Sequence, residues 1–140
     1  MSYPRFNNAL WLRAIAVWLL IALAESVNGT LRVLVIAPAI GEALAHRLGF
    51  AIACALILFI AWLTAPWLKA STRGAQWLAG ALWVVLMIAF EVGLGLAQGF
   101  TWPRILQEYN FLEGGLMAIG MLILLGAPVF GAWLRPRAQK

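Results

Sequence analysis

Four apolar stretches, each long enough to cross a lipid bilayer, constrain the fold of this chain more than any other feature. A transmembrane helix needs about 20 apolar residues. The stretches lie between Arg13 and Arg32, Leu48 and Leu68, Gln76 and Phe100, and Gly114 and Leu134. Backbone groups left unpaired in lipid are costly, so these stretches predict transmembrane helices over about 9–32, 46–68, 75–100 and 112–134.

Composition supports this assignment to the membrane. The chain has 140 residues, of which 64% are hydrophobic and 11% charged, and its mean hydropathy is +0.92. Soluble domains average roughly 45–50% apolar and 25% charged residues. The first stretch also resembles a secretory signal peptide ending at Ala22-Leu23-Ala24. Arg13 interrupts it and the apolar run continues beyond residue 24, so we expect an uncleaved helix of an all-α integral membrane protein.

Side chains that carry metal, redox or hydrolytic chemistry are scarce. Cys54 is the one cysteine and His46 the one histidine, which excludes a disulfide within the chain and a haem with two histidine ligands. The sequence also contains no HExxH motif, Gly-rich phosphate loop or Ser/His/Asp set. It therefore predicts no cofactor, no metal and no catalytic residues, and it favours a protein other than an enzyme.

The distribution of loop charges predicts the orientation. The N-terminus, the second loop and the C-terminus carry Arg5, Arg13, Lys69, Arg73, Arg135, Arg137 and Lys140. The first and third loops carry Arg32, Arg47 and Arg104, together with acids. By the positive-inside rule both termini lie in the cytoplasm, and we expect the inner membrane of a bacterium. The net charge of +5 then reflects topology and contact with the lipid bilayer, with no nucleic-acid partner.

An offset of 66 residues aligns the two halves of the chain. It pairs Trp11 with Trp77 and Glu25 with Glu91, and it also pairs Gly29 with Gly95, Glu42 with Glu108, and Trp67 with Trp133. Each half, 1–74 and 75–140, contains two predicted helices. The alignment predicts a 2+2 tandem duplication whose halves are related by a pseudo-twofold axis along the membrane normal.

Polar residues within the first and third spans form the candidate site. Glu25, Asn28 and Arg32 are spaced by three and four residues, so a helix places them on one face. Glu25 and its equivalent Glu91 lie roughly 18–21 Å from the predicted cytoplasmic ends of their helices, beyond the midplane. Two acids and one base cannot all be neutralised by pairing, so either a proton or a further cation or solute completes the site, or a Glu–Arg–Glu network holds the helices together.

The third loop supplies candidate residues for the outer mouth of the bundle. Gln98, Trp102, Arg104, Glu108 and Tyr109 lie in or beside a short segment that can form an interfacial helix. Such a helix is a lid in one interpretation and an amphipathic connector in the other.

Two functions from different classes fit these features. The first is a small proton- or ion-linked transporter or channel-like protein, expected to be a dimer because four helices rarely enclose a path. The second is an accessory or assembly subunit of a membrane complex, in which the Glu/Arg cluster is purely structural.

Overall fold

The computed structural model describes residues 8–107, 110 and 116–134. Within these residues the chain forms helices and turns, with no strand. The helices are α1 (Asn8–Leu31), α2 (Ala37–Ile40), α3 (Glu42–Leu68), α4 (Arg73–Ala97), α5 (Trp102–Gln107) and α6 (Met117–Leu134). Four segments are long and apolar enough to cross a membrane: Asn8–Ile40, Glu42–Leu68, Arg73–Ala97 and Met117–Leu134. The predicted class, a helical membrane protein with four spans, agrees with this structure.

The first span continues beyond the predicted end at residue 32. A π-helical segment, Arg32–Ile36, joins α1 to α2, and the N–H of Ala37 donates to the carbonyl oxygen of Arg32 five residues earlier. Pro38 follows immediately; its ring lacks an N–H donor and clashes with the preceding turn of a regular helix. The wider turn accommodates the proline, and it changes which face of the helix is presented beyond Arg32.

A four-residue connection joins α3 to α4. Lys69 ends α3 in the left-handed conformation, with φ of 57°, and Thr72 caps α4 by accepting a hydrogen bond of 3.1 Å from the N–H of Ala75. A side-chain oxygen at this position satisfies one of the free donors at the start of a helix. The connection therefore reverses the chain between two spans within a few residues.

The four long helices pack around a narrow apolar core. Within the described residues α1 packs against α3 and α4, and α6 packs against the same two helices, so α1 lies diagonally opposite α6. The largest fully buried side chains are Trp83, Ile21, Leu124 and Val17. They come from α1, α4 and α6, which places the core at the centre of the bundle.

Glycines allow α6 to approach its neighbours closely. A Cβ atom on Gly131 would lie 2.7 Å from the carbonyl carbon and oxygen of Ala61 in α3. A Cβ atom on Gly80 of α4 would overlap the carbonyl oxygen of Leu125 in α6. Without a hydrophobic driving force between helices in lipid, such close backbone packing is a main source of association.

The order of the helices bears on the predicted duplication. Equivalent helices of the two halves are neighbours here, because α1 packs against α4 and α3 packs against α6. In a ring of four upright helices, a twofold axis along the membrane normal would place equivalent helices on opposite corners. The fold thus supports four spans, while the duplication and its axis stay predictions from the sequence.

Candidate functional site

The carboxyl group of Glu25 lies inside the bundle, on the face of α1 that is turned towards α3 and α4. Its Oε1 atom is buried and has no hydrogen-bond partner in the described part of the chain. An acidic oxygen within a span is costly to bury without a partner. A functional role for Glu25 would explain why this buried oxygen is left without a partner among the described residues.

Three helices bring polar groups to Glu25. Its carboxyl group interacts electrostatically with Glu91 of α4 and with Cys54 of α3, and the side chain of Asn28 lies beside it. The Nδ2 of Asn28 donates a hydrogen bond of 3.1 Å to the carbonyl oxygen of Gly49 in α3. The two glutamates and Asn28 thus belong to one polar region between α1, α3 and α4.

Arg32 occupies a different position from the one expected for a counter-charge. It lies in the π-helical segment, and its aliphatic stem packs over Gly49, where an added Cβ would lie 2.9 Å from the Cδ of Arg32. Among the residues that the structure describes, no ion pair joins Arg32 to Glu25. Asn28 and Arg32 both contact Gly49, so this glycine is the point at which α3 meets the polar face of α1.

An aromatic pair borders the site on the side of the core. Trp18 lies seven residues before Glu25, hence two turns away on the same face of α1, and its ring meets that of Phe90 edge to face at 6.0 Å between centroids. Its Nε1 is a buried donor that, within the described chain, has no hydrogen-bond partner. A donor and an acceptor two turns apart on α1 are thus both without a partner among the described residues.

Trp18 and Cys54 were missed by the sequence reasoning. The spacing of seven residues between Trp18 and Glu25 was a signal that could have placed the indole on the same face. Cys54 carried no such signal, because its electrostatic interaction with Glu25 depends on how α3 packs against α1.

The described residues of the predicted outer mouth lie at the end of α4 and in α5. Gln98 ends α4, Gly99 has a φ of 84°, and the N–H of Phe100 donates to the carbonyl oxygen of Gly95, which is a glycine-type helix end. This turn lets Ile105 of α5 pack on Gly95.

Trp102 and Arg104 remain exposed on this short helix, and the guanidinium of Arg104 lies 4.5 Å from the ring centroid of Phe100. Glu108 and Tyr109 lie outside the described residues. A short helix is thus present over Trp102–Gln107, and its position at the membrane interface stays a prediction from the sequence.

Two open grooves mark the lipid-facing surface at the opposite end of the bundle. One runs between α4 and α6, lined by Arg73, Trp77, Gly126, Val129, Phe130 and Trp133. The other lies between α3 and α6, lined by Leu58, Phe59, Trp62, Phe130 and Leu134. Neither groove includes a residue of the polar site.

Comparison of the chain with protein-family models, with curated proteins and with solved structures gave no significant match.

Proposed function

We propose that the chain is a small proton- or ion-linked transporter or channel-like protein. Glu25 and Glu91 are its proton- or cation-responsive groups, Asn28 orients the site, and Arg32 supplies positive charge near it. One observation carries the proposal: the buried Oε1 of Glu25 has no hydrogen-bond partner within the described residues, and the carboxyl group of Glu91 interacts with Glu25 electrostatically.

The charge balance favours a bound cation or proton. Neighbouring carboxyl groups in a medium of low dielectric constant repel each other when both are ionised. A purely structural network would be expected to pair the buried Oε1 of Glu25 with a donor, since unpaired buried charges destabilise a fold. The absence of an Arg32–Glu25 ion pair in the described chain therefore supports a responsive site over a structural one.

The environment and assembly of the protein form part of the same proposal. We place it in a bacterial inner membrane with both termini in the cytoplasm, in agreement with the loop charges. In an apolar 18-residue window of each span, 28% or less of the residues are buried within the chain, so much of the surface is left for lipid or for a second copy. A homodimer would supply eight helices around a path that four helices alone do not enclose.

The duplication remains a proposal about the origin of the fold. The 66-residue offset supports it, because it pairs the two intramembrane glutamates with each other and also gives two pairs of tryptophans without a gap. The equivalent helices are in contact, α1 with α4 and α3 with α6. These contacts favour two helical hairpins, α1 with α3 and α4 with α6, that lie side by side, over hairpins related by the expected twofold axis along the membrane normal.

An accessory subunit of a larger membrane complex is the alternative. The apolar groove between α3 and α6, with Phe59 and Trp62 exposed on its rim, favours it as a surface that a partner helix could cover.

The test is a proton-flux measurement in proteoliposomes loaded with a pH-sensitive dye, with a potassium diffusion potential as the driving force. We expect flux from the wild-type protein and a loss of at least about tenfold in Glu25→Gln and Glu91→Gln, because the amide keeps the shape and removes titration. Glu42→Gln is the matched control, since Glu42 is exposed at the start of α3. Absence of flux in the wild type, or equal flux in Glu25→Gln and Glu42→Gln, would contradict the proposal.

A further inference from the structure

The groove between α4 and α6 has a charged residue at one end and apolar residues along its floor. Arg73 stands where α4 begins, Trp77 lies one turn further in, and Trp133 lies near the end of α6. From Trp133 the groove passes Phe130 and Val129 to Gly126, seven residues away, which is about 10 Å along a helix. A groove of this length runs from the level of the lipid headgroups into the level of the acyl chains.

A buried glutamine positions Arg73 at the mouth of the groove. Gln76 is 8% exposed; its Nε2 donates a hydrogen bond of 3.0 Å to the carbonyl oxygen of Ala70, and its Oε1 accepts one of 3.4 Å from Nη1 of Arg73. The same Nη1 donates to the carbonyl oxygen of Val129, also at 3.4 Å. The guanidinium is thus held across α4 and α6, while its Nε and Nη2 make no hydrogen bond within the described residues.

The shape and aromatic lining of the groove fit an acyl chain. Gly126 has no side chain, and an added Cβ there would meet no atom of the described residues within 4 Å, so this part of the groove floor is open. Trp77 and Trp133 are 48% and 66% exposed and flank the groove at its charged end. Indole rings favour the boundary between headgroups and acyl chains.

We infer that this groove binds one anionic phospholipid, with its phosphate on Arg73 and one acyl chain along Phe130 and Gly126. Charge complementarity identifies the ligand: an arginine with free donors matches phosphate, and Lys69 adds positive charge in the adjoining connection. This site lies apart from Glu25 and Glu91, so it is independent of the proposed transport activity.

The test is native mass spectrometry of the full chain in a neutral detergent, titrated with phosphatidylglycerol or with phosphatidylcholine of the same acyl chains. We expect one phosphatidylglycerol to bind more tightly than phosphatidylcholine. Arg73→Gln should weaken that binding about fivefold, since one basic residue contributes about that factor near a membrane surface. Arg73→Lys should restore part of it, because the charge returns without the planar fork.

Three further variants distinguish binding in the groove from effects of overall charge and of folding. Gly126→Leu should fill the groove and weaken phosphatidylglycerol binding with Arg73 intact, whereas Gly93→Leu, at another open position, should not. Arg13→Gln removes the same charge near the same end of the bundle and should have little effect. The inference is overturned if the two lipids bind equally, if Arg13→Gln weakens binding as much as Arg73→Gln, if Gly126→Leu binds as wild type, or if inorganic phosphate displaces the lipid.

Discussion

The indole Nε1 of Trp83 in α4 donates a hydrogen bond of 2.8 Å to the carbonyl oxygen of Ala14 in α1. Trp83 is completely buried, and Ala14 is nearly so. This bond joins the two helices that carry Glu91 and Glu25, and it lies about two to three turns from the polar site. The bond therefore sets the positions of the two glutamates relative to each other along the bundle axis. The 66-residue offset in the sequence does not set these positions.

Trp83→Phe should lower the stability of the bundle by about 2 kcal/mol, because it removes an interhelical hydrogen bond and leaves a cavity in the core. The measurement is thermal unfolding in detergent followed by circular dichroism. Trp77→Phe is the control, since Trp77 lies on the same helix with its ring about half exposed. Equal stability of the two variants would show that the buried bond contributes nothing.

Gly80→Ala and Gly131→Ala should each destabilise the protein by about 1–3 kcal/mol, since the new methyl group meets backbone atoms of the neighbouring helix. Backbone cannot move aside as a flexible side chain can. Gly126→Ala should be neutral or slightly stabilising, because its Cβ enters open space and alanine favours a helix. Thermal unfolding of the three variants checks this. A Gly126→Ala variant as unstable as the other two would contradict the packing of α6.

Asn28→Ala should destabilise the protein by about 0.6–1.7 kcal/mol, the range for interhelical hydrogen bonds in membranes. Its amide bonds to Gly49 of α3. Ser26→Ala is the matched control, because the hydroxyl of Ser26 bonds to Ala22 within its own helix. Denaturation in mixed micelles measures both variants, and an equal loss in the two would argue against a bond between α1 and α3.

Glu25→Gln should leave thermal stability unchanged or raise it. The carboxyl oxygen that it replaces has no hydrogen-bond partner among the described residues and lies near another acid, so removing the charge removes a repulsion. A double-mutant cycle with Arg32→Gln should give a coupling energy below about 0.5 kcal/mol, as expected for groups that do not form a pair. A clearly larger coupling would mean that the two side chains do pair in the membrane, and would favour the structural role of the cluster.

Cross-linking can test the order of the helices around the bundle, in which α3 lies beside α6 and α1 lies diagonally opposite α6. In a Cys54→Ala background, cysteines at Phe50 and Gly120 should be joined by a short bifunctional methanethiosulfonate reagent, because a Cβ on Gly120 of α6 would lie 3.6 Å from the ring of Phe50 in α3, with no backbone overlap. Cysteines at Leu10 and Trp133, on the diagonally opposed α1 and α6, should not. Electrophoresis without reductant reads both pairs. A cross-link for the diagonal pair alone would contradict the order of helices around the bundle.

The class of the protein and the number of its spans were determined by the sequence. Runs of about 20 apolar residues have few stable alternatives to a helix in lipid, so length and hydropathy suffice to predict them. The common face of Glu25, Asn28 and Arg32 was predictable for the same reason, because the period of a helix is local. The end of the first span was not predictable in this way. The sequence predicts an end at residue 32, but a wider helical turn before Pro38 carries the helix to Ile40.

Contacts between helices were decided by tertiary structure alone. The sequence identified Glu25 and Glu91 as equivalent, but it did not place Cys54 beside Glu25 or direct Arg32 onto Gly49. Those positions depend on which helices are neighbours and on how closely each helix packs against its neighbours. Both depend on small residues such as Gly80 and Gly131, whose partners on other helices no local pattern specifies.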